Sequence, residues 1–223
     1  MRVDQQGNIW TTDVNGHTVT KMNASGDVLM TLGTKGQAGN WDEAAGTRLF
    51  NEPNDIGFAP NGDIIVVQGH GRGEPKALRF DKSGTFIKSW GGPGQGFEWP
   101  QSNHGIHIDY KGNVWIGGNG RGPQSARGTV NGEDENLDTG KKKGSTRVDP
   151  FADNMVLKFT QDGKFVMQIG RSDAGKGDND TENFRRPPNV QVSPKTNEVF
   201  VADGYGNRRI IVFDADVRVA NVT

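Results

Sequence analysis

Short runs of alternating apolar and polar residues follow one another along this chain, and turns rich in glycine and asparagine separate them. Between positions 55 and 91, an apolar run, a Pro-Asn-Gly turn, a β-branched run and two further short apolar runs occur in order. Alternation with a period of two, bounded by turn residues, is typical of β-strands. The segment therefore predicts four consecutive strands.

The same order of runs and turns recurs four times. The second strands align over 8–13, 63–68, 113–118 and 198–203, and the third strands over 19–22, 78–80, 156–159 and 210–213. A repeat of about 50 residues built from four strands is typical of β-propeller blades. We therefore predict an all-β fold, and we expect the large residues at the equivalent second-strand positions to be core: Trp10, Ile65, Trp115 and Phe200.

The spacing of the repeats predicts one insertion and two incomplete blades. Gly62 and Gly112 are 50 residues apart, whereas Gly112 and Asn197 are 85 apart, so the third blade should hold a polar insertion at 119–153. We expect this insertion to be a solvated loop, a lid over the channel or a partner-binding arm. The strand count predicts three, four, four and three strands, in blades spanning about 1–33, 50–91, 100–170 and 187–223.

Composition is compatible with a packed β-protein. Hydrophobic residues make up 32% of the 223, and the 33 glycines add turn and packing positions. A net charge of −1 gives no general attraction to nucleic acid, and no apolar run is long enough to span a membrane, so we expect neither partner. Without cysteine, the chain has no disulfides or thiolate metal sites.

Several strings resemble the NHL-repeat six-bladed β-propellers. Within that group, Val201-Ala-Asp-Gly-Tyr-Gly-Asn-Arg-Arg-Ile210 and the His-Gly at 104–105 are similar to the peptidyl-α-hydroxyglycine α-amidating lyases and their bacterial relatives. The resemblance implies that the chain is part of a six-bladed ring and that this fragment alone is inactive. It also implies a secreted or periplasmic location, although Met1 to Gln6 do not read as a secretory leader.

The resemblance implies a zinc site with His104 as a ligand, with Tyr205 as a base beside the metal and Arg209 as the family's arginine. A structural calcium ion is a second cofactor that it allows. Neutral imidazole is a good zinc ligand, whereas a tyrosine needs a neighbouring cation to act as a base. Each of these residues also has an ordinary structural alternative. His104 would be a solvated histidine, Tyr205 a loop aromatic that packs between blades, and Arg209 an arginine paired with Asp203.

Topology predicts that further candidates share one face, here called the upper face, with His104 and Tyr205. In a propeller, the loops after second strands and the starts of first strands lie together, which places four possible ligand-binding residues there: His17, His70, Asp203 and Asn207. Surface-loop and turn-closing roles are the alternatives for these four. His107, three residues after His104, is expected to pack in the opposite direction.

Three functions follow from these observations. The first is a zinc-dependent lyase acting on peptidyl-α-hydroxyglycine. The second is a non-catalytic NHL scaffold that binds a peptide or protein on its upper face, where we expect a peptide or small-molecule ligand. The third is a calcium-dependent lactonase-like propeller, for which only Asp55 and Asn189 stand near the appropriate strand starts.

Overall fold

The computed structural model describes residues 1–71, 73–122 and 151–216, in which short β-strands are joined by tight turns. The first nine strands are β1 (Arg2–Val3), β2 (Ile9–Asp13), β3 (Thr18–Met22), β4 (Val28–Leu32), β5 (Trp41–Asp42), β6 (Thr47–Arg48), β7 (Pro53–Phe58), β8 (Ile64–Gln68) and β9 (Lys76–Phe80). The remaining ones are β10 (Phe86–Trp90), β11 (Asn103–Ile108), β12 (Val114–Gly118), β13 (Met155–Phe159), β14 (Phe165–Gly170), β15 (Asn189–Val192), β16 (Glu198–Asp203) and β17 (Arg209–Asp214).

The strands form four antiparallel meanders in chain order. The first three sheets have four strands each, β1–β4, β7–β10 and β11–β14, and the fourth has three, β15–β17. The hairpin β5–β6 lies in the connection between the first and second sheets. The predicted all-β fold with blade-like repeats is therefore confirmed.

Neighbouring sheets pack face to face through three apolar clusters. Trp10 and Ile64 belong to the cluster between the first and second sheets. Ile65 and Val114 lie between the second and third sheets, and Trp115 packs in the cluster that the third and fourth sheets share. Because each β-sheet has two faces, each inner sheet is buried on both of them.

Two predictions about the ends of the array were wrong. The first sheet has a first strand, since Arg2 and Val3 pair with Trp10 and Ile9. Two residues are too few to show an alternating pattern, and an ion pair between Arg2 and Asp55 of β7 fixes this strand instead. Phe200, predicted as core, is 38% exposed because the described residues place no further sheet against it.

Most of the predicted insertion, 119–153, lies outside the described residues. Its two ends are described, and Arg121 pairs with Ala152 in an isolated bridge. In the described part of the chain, no helix is long and apolar enough to cross a membrane.

Candidate functional site

Three predicted site residues from three different sheets meet on the upper face. His70 follows β8, His104 lies at the start of β11, and Tyr205 lies in the loop between β16 and β17. The ring centroids of His70 and His104 are 5.4 Å apart, and those of His104 and Tyr205 are 5.2 Å apart. These three residues are called the His–Tyr cluster below.

The hydrogen bonds of His104 define its neutral tautomer. Its Nδ1 lies 3.1 Å from the carbonyl oxygen of Pro188, which can only accept, so Nδ1 carries the proton. Its Nε2 lies 3.0 Å from the Tyr205 hydroxyl and, without a proton of its own, accepts a hydrogen bond from that hydroxyl. The ring is thus oriented by the backbone and presents a basic nitrogen to a phenol.

The loop that carries Tyr205 is held from below by a buried carboxylate. Asp203 is fully buried and accepts hydrogen bonds from the Asn207 amide at 2.7 Å, the Arg209 Nε at 2.9 Å and the Arg185 backbone N–H at 2.8 Å. Gly206 lets this loop pass close to Arg185, because a Cβ at its position would lie 2.6 Å from the Cβ of Arg185. The predicted site residues Asp203 and Asn207 therefore position the loop, since Asn207 lies within it and bonds to the Asp203 carboxylate at its start.

Arg209 is directed away from the phenol of Tyr205. Besides Asp203, its guanidinium donates to the backbone carbonyls of Asp178 at 2.8 Å and Asn183 at 2.6 Å, and to that of Asp180. This geometry ties β17 to the segment 178–183. It supports the structural alternative for Arg209 rather than contact with a reacting group.

Arg186 is a site residue that the sequence did not indicate. Its side chain is buried, its Nη2 donates to the carbonyl oxygen of Tyr205 at 2.7 Å, and its guanidinium carbon lies 5.7 Å from the centroid of the Tyr205 ring. A guanidinium over an aromatic face is attracted by the ring's quadrupole. The sequence signal nearest to Arg186 is the pair of prolines that follows it, which restricts the backbone just before β15 begins.

The other two upper-face histidines differ in their surroundings. The Nε2 of His70 lies 3.4 Å from the Asn119 amide nitrogen, and the Asn119 oxygen accepts from the Ser102 hydroxyl at 2.7 Å. His17 lies apart from the His–Tyr cluster at the junction of the first two sheets, where its Nδ1 accepts from the Glu52 backbone N–H at 3.1 Å. Asn119, like Arg186, could be placed in the site only by the tertiary structure.

The described residues do not complete a zinc site. Catalytic zinc is usually held by three protein ligands, and His70 and His104 supply two imidazoles. Across 1–71, 73–122 and 151–216, no three His, Asp or Glu side chains form a group that could hold a metal ion. A zinc site here would need a ligand from outside these residues.

The carboxylate considered for calcium is engaged by an arginine. Both oxygens of Asp55 accept from Arg2, at 3.0 and 2.7 Å, and one also accepts from the Ile106 N–H. The Asn189 oxygen accepts from the N–H of Val190 at 2.8 Å. These contacts join three sheets and leave a guanidinium where the lactonase hypothesis needs a cation.

Comparisons with known proteins support the fold and a distant relationship. No family model matches the chain. It is 27% identical to human NHL repeat-containing protein 3 over 168 residues, 71% of this chain and 44% of that protein. It is 34% identical to a probable peptidyl-α-hydroxyglycine α-amidating lyase of Caenorhabditis elegans over 88 residues, 39% of this chain and 23% of that protein.

A solved structure shows the same architecture. A gluconolactonase from Xanthomonas campestris superimposes with a TM-score of 0.57 at 15% identity, over 95% of this chain and 56% of that one. The chain spans less than half the length of the curated relatives it matches. The chain has a β-propeller-type fold, and its sequence is similar to NHL repeat-containing proteins and to the amidating lyases.

Proposed function

We propose that the His–Tyr cluster binds a peptide or small organic ligand on the upper face of the propeller. The observation that carries this proposal is the hydrogen bond between the Tyr205 hydroxyl and the Nε2 of His104 at 3.0 Å, beside a second imidazole from another sheet. Flat rings with a few convergent polar atoms are typical of small-molecule sites. The guanidinium of Arg186 favours ligands that carry a carboxylate.

A binding titration tests this proposal. The probes are short peptides that end in α-hydroxyglycine, in glycine or in an amide, titrated calorimetrically into the 223-residue chain. We expect the peptides that end in a carboxylate to bind. Tyr205→Phe and His104→Gln should each weaken binding by about tenfold or more, because each removes one hydrogen-bonding group and leaves the group it contacts without that partner.

Tyr110→Phe is the matched control for that titration, because it removes the only other tyrosine hydroxyl in the chain. The Tyr110 hydroxyl bonds to Asn197, and Tyr110 itself is half-exposed in the turn between β11 and β12. Equal loss of binding in Tyr110→Phe and Tyr205→Phe would argue against the site. So would failure of all three peptides to bind.

The second candidate function is lyase chemistry on a peptidyl-α-hydroxyglycine, and the Tyr205–His104 pair favours it. Tyr205, as a phenolate beside a cation, would accept the substrate's hydroxyl proton. The carbon–nitrogen bond would then break as glyoxylate's carbonyl forms, and Tyr205 would return the same proton to the leaving amide nitrogen. The proton is thus balanced on Tyr205, and the His104 Nε2 takes no part in its transfer.

Zinc belongs to this second candidate as a proposal. When bound, it would supply Lewis acidity at the substrate hydroxyl. His104 fits a ligand role in one respect, because its Nδ1–H is held by a backbone carbonyl, the support that metal-bound histidines usually have. His70 is the second imidazole, and the remaining ligand would come from outside the described residues.

Release of glyoxylate from a peptidyl-α-hydroxyglycine tests the lyase candidate. We expect release that depends on added zinc and is reduced at least about a hundredfold in Tyr205→Phe, the range in which a positioned proton-transfer group acts. Metal analysis should show less bound zinc in His104→Gln than in the parent chain. Release equal to the uncatalysed background, with ligand binding intact, would leave only the binding function.

A further inference from the structure

Two prolines that precede β15 lie against the first two strands of the third sheet. A Cβ added at Gly105 of β11 would lie 2.2 Å from the carbonyl oxygen of Pro188, and one added at Gly117 of β12 would lie 2.4 Å from that of Pro187. Both distances are too short for a real side-chain carbon, so glycine at both positions is what lets this backbone approach so closely. Gly105, Gly117 and the two prolines are called the proline slot below.

The close approach brings the Pro188 carbonyl to the imidazole of His104, the residue before Gly105. The Nδ1 of His104 lies 3.1 Å from that oxygen. Proline has no backbone N–H, so neither Pro187 nor Pro188 can donate a hydrogen bond to an imidazole nitrogen. The two prolines therefore stabilise the tautomer with the proton on Nδ1 and give no support to the other one.

The second sheet shows that an inter-sheet hydrogen bond at this position does not by itself require a histidine. Asn54 of β7 and His104 of β11 are equivalent, because each stands two residues before an isoleucine, Ile56 or Ile106, that occupies the same place in the strand pairing. The Asn54 amide donates to the backbone carbonyl of His104, as the His104 imidazole donates to that of Pro188. What a histidine adds to this position is a second nitrogen, Nε2.

The tautomer of His104 sets the direction of its hydrogen bond with Tyr205. An Nε2 without a proton can only accept, so the phenolic proton of Tyr205 is directed at it across 3.0 Å. The phenolic oxygen then meets any further partner through its lone pairs. A ligand group that contacts this oxygen must therefore be a donor, such as a hydroxyl or an amide N–H.

We propose that the proline slot is a positioning element that fixes the His104 tautomer, so that the His–Tyr cluster binds ligands through a hydrogen-bond donor on the ligand. The donor preference rests on the binding function proposed above. The tautomer does not, because it is a property of the free protein. The two parts of the inference can therefore fail separately.

Nuclear magnetic resonance of the nitrogen-15-labelled 223-residue chain measures the tautomer without a ligand. The chain has four histidines, and the imidazole signals that disappear in His104→Asn belong to His104. We expect the proton on Nδ1 in the parent chain. Gly105→Ala pushes the Pro188 carbonyl away, and the ratio of the Nδ1-protonated to the Nε2-protonated form should fall by about fivefold, the effect of losing one ordinary hydrogen bond.

Gly204→Ala is the matched control for the tautomer measurement. Gly204 lies beside Tyr205, but a Cβ at its position would meet nothing within 4 Å, so the tautomer ratio should stay as in the parent chain. A parent chain protonated on Nε2 would overturn the positioning role. So would an unchanged ratio in a folded Gly105→Ala variant.

His104→Asn keeps the inference testable if Gly105→Ala does not fold. Its asparagine can donate to Pro188 as Asn54 donates to His104, so we expect it to fold, but it has no Nε2 to hold the phenolic proton. Calorimetry compares a peptide ending in α-hydroxyglycine with its O-methyl ether, which keeps the carboxylate and loses the hydroxyl proton. The parent chain should bind the hydroxyl form at least about tenfold more tightly, and His104→Asn should bind both forms within about threefold.

The outcomes of the calorimetry separate the inference from the proposed function. Equal binding of the two peptides by the parent chain would overturn the donor preference. A preference that is unchanged in His104→Asn would overturn the positioning role, because the imidazole would then not direct the phenol. Failure of both peptides to bind would count against the proposed function, and the tautomer of the free parent chain would still decide the positioning role.

Discussion

Removing the buried carboxylate under the Tyr205 loop should destabilise the protein and disorganise the His–Tyr cluster together. Asp203→Ala leaves the Arg209 guanidinium without its ion-pair partner and leaves two N–H donors, from Asn207 and Arg185, without their acceptor. Breaking a buried ion pair from one side typically costs about 3–5 kcal/mol.

For Asp203→Ala, the expected loss in the free energy of unfolding lies near the lower end of this range of about 3–5 kcal/mol. Arg209 keeps its backbone carbonyl acceptors on 178–183, so part of its charge remains solvated by the protein. We therefore expect the free energy of unfolding to fall by about 3 kcal/mol, a large part of the roughly 5–15 kcal/mol that stabilises a typical domain. Asp203→Asn keeps one acceptor oxygen and should lose about half as much.

Urea unfolding followed by circular dichroism measures this loss. Tryptophan fluorescence serves as a second probe of the first three sheets, since the five tryptophans precede residue 116. Asp178→Ala is the matched control. The Asp178 carboxylate accepts a hydrogen bond from the backbone N–H of the exposed Arg208, and we expect a change within about 0.5 kcal/mol. A loss below about 1 kcal/mol for Asp203→Ala would refute the assigned positioning role.

Two further predictions concern pH. Burial lowers the pKa of His107, so as the pH falls the imidazole is protonated in the unfolded chain before it is protonated in the folded one. The free energy of unfolding should therefore decrease as the pH drops below about 6.5. In His107→Gln, the melting temperature should decrease less between pH 7 and pH 5 than in the parent chain. Burial would raise the pKa of Asp4, but hydrogen bonds, first from the Trp10 indole, lower it to about 2. Ionised Asp4 therefore stabilises the fold above about pH 3.8 and loses this effect toward pH 2; Asp4→Asn should lower the melting temperature at pH 7 but not at pH 2, and equal lowering at both would contradict the assignment.

The repeat architecture could be predicted because it is written locally. Each blade signals its strands through period-two alternation and its turns through glycine or asparagine, and these signals need no distant partner. The strand β1 escaped detection because two residues carry no period. Its position depends on Arg2 reaching Asp55, which is 53 residues away in the chain.

The candidate site was predicted in part, for the same reason. Blade topology was sufficient to place His70, His104 and Tyr205 on one face. The pairing of Arg209 with Asp203 stood among the alternatives from the sequence. Blade topology could not show that Arg186 and Asn119 reach the cluster, because those contacts depend on how loops of different sheets fold over one another. The exposure of Phe200 likewise depends on what lies beside its sheet.

The measurement that tests the central claim most directly is a nuclear magnetic resonance titration of the chain, labelled at histidine and tyrosine, with a peptide ending in α-hydroxyglycine. In the free protein, His104 should show a protonated Nδ1 and an unprotonated Nε2. The peptide should shift the resonances of His104 and Tyr205 and leave those of Tyr110 unchanged. A free His104 in the other tautomer, or shifts confined to residues outside the His–Tyr cluster, would contradict the account.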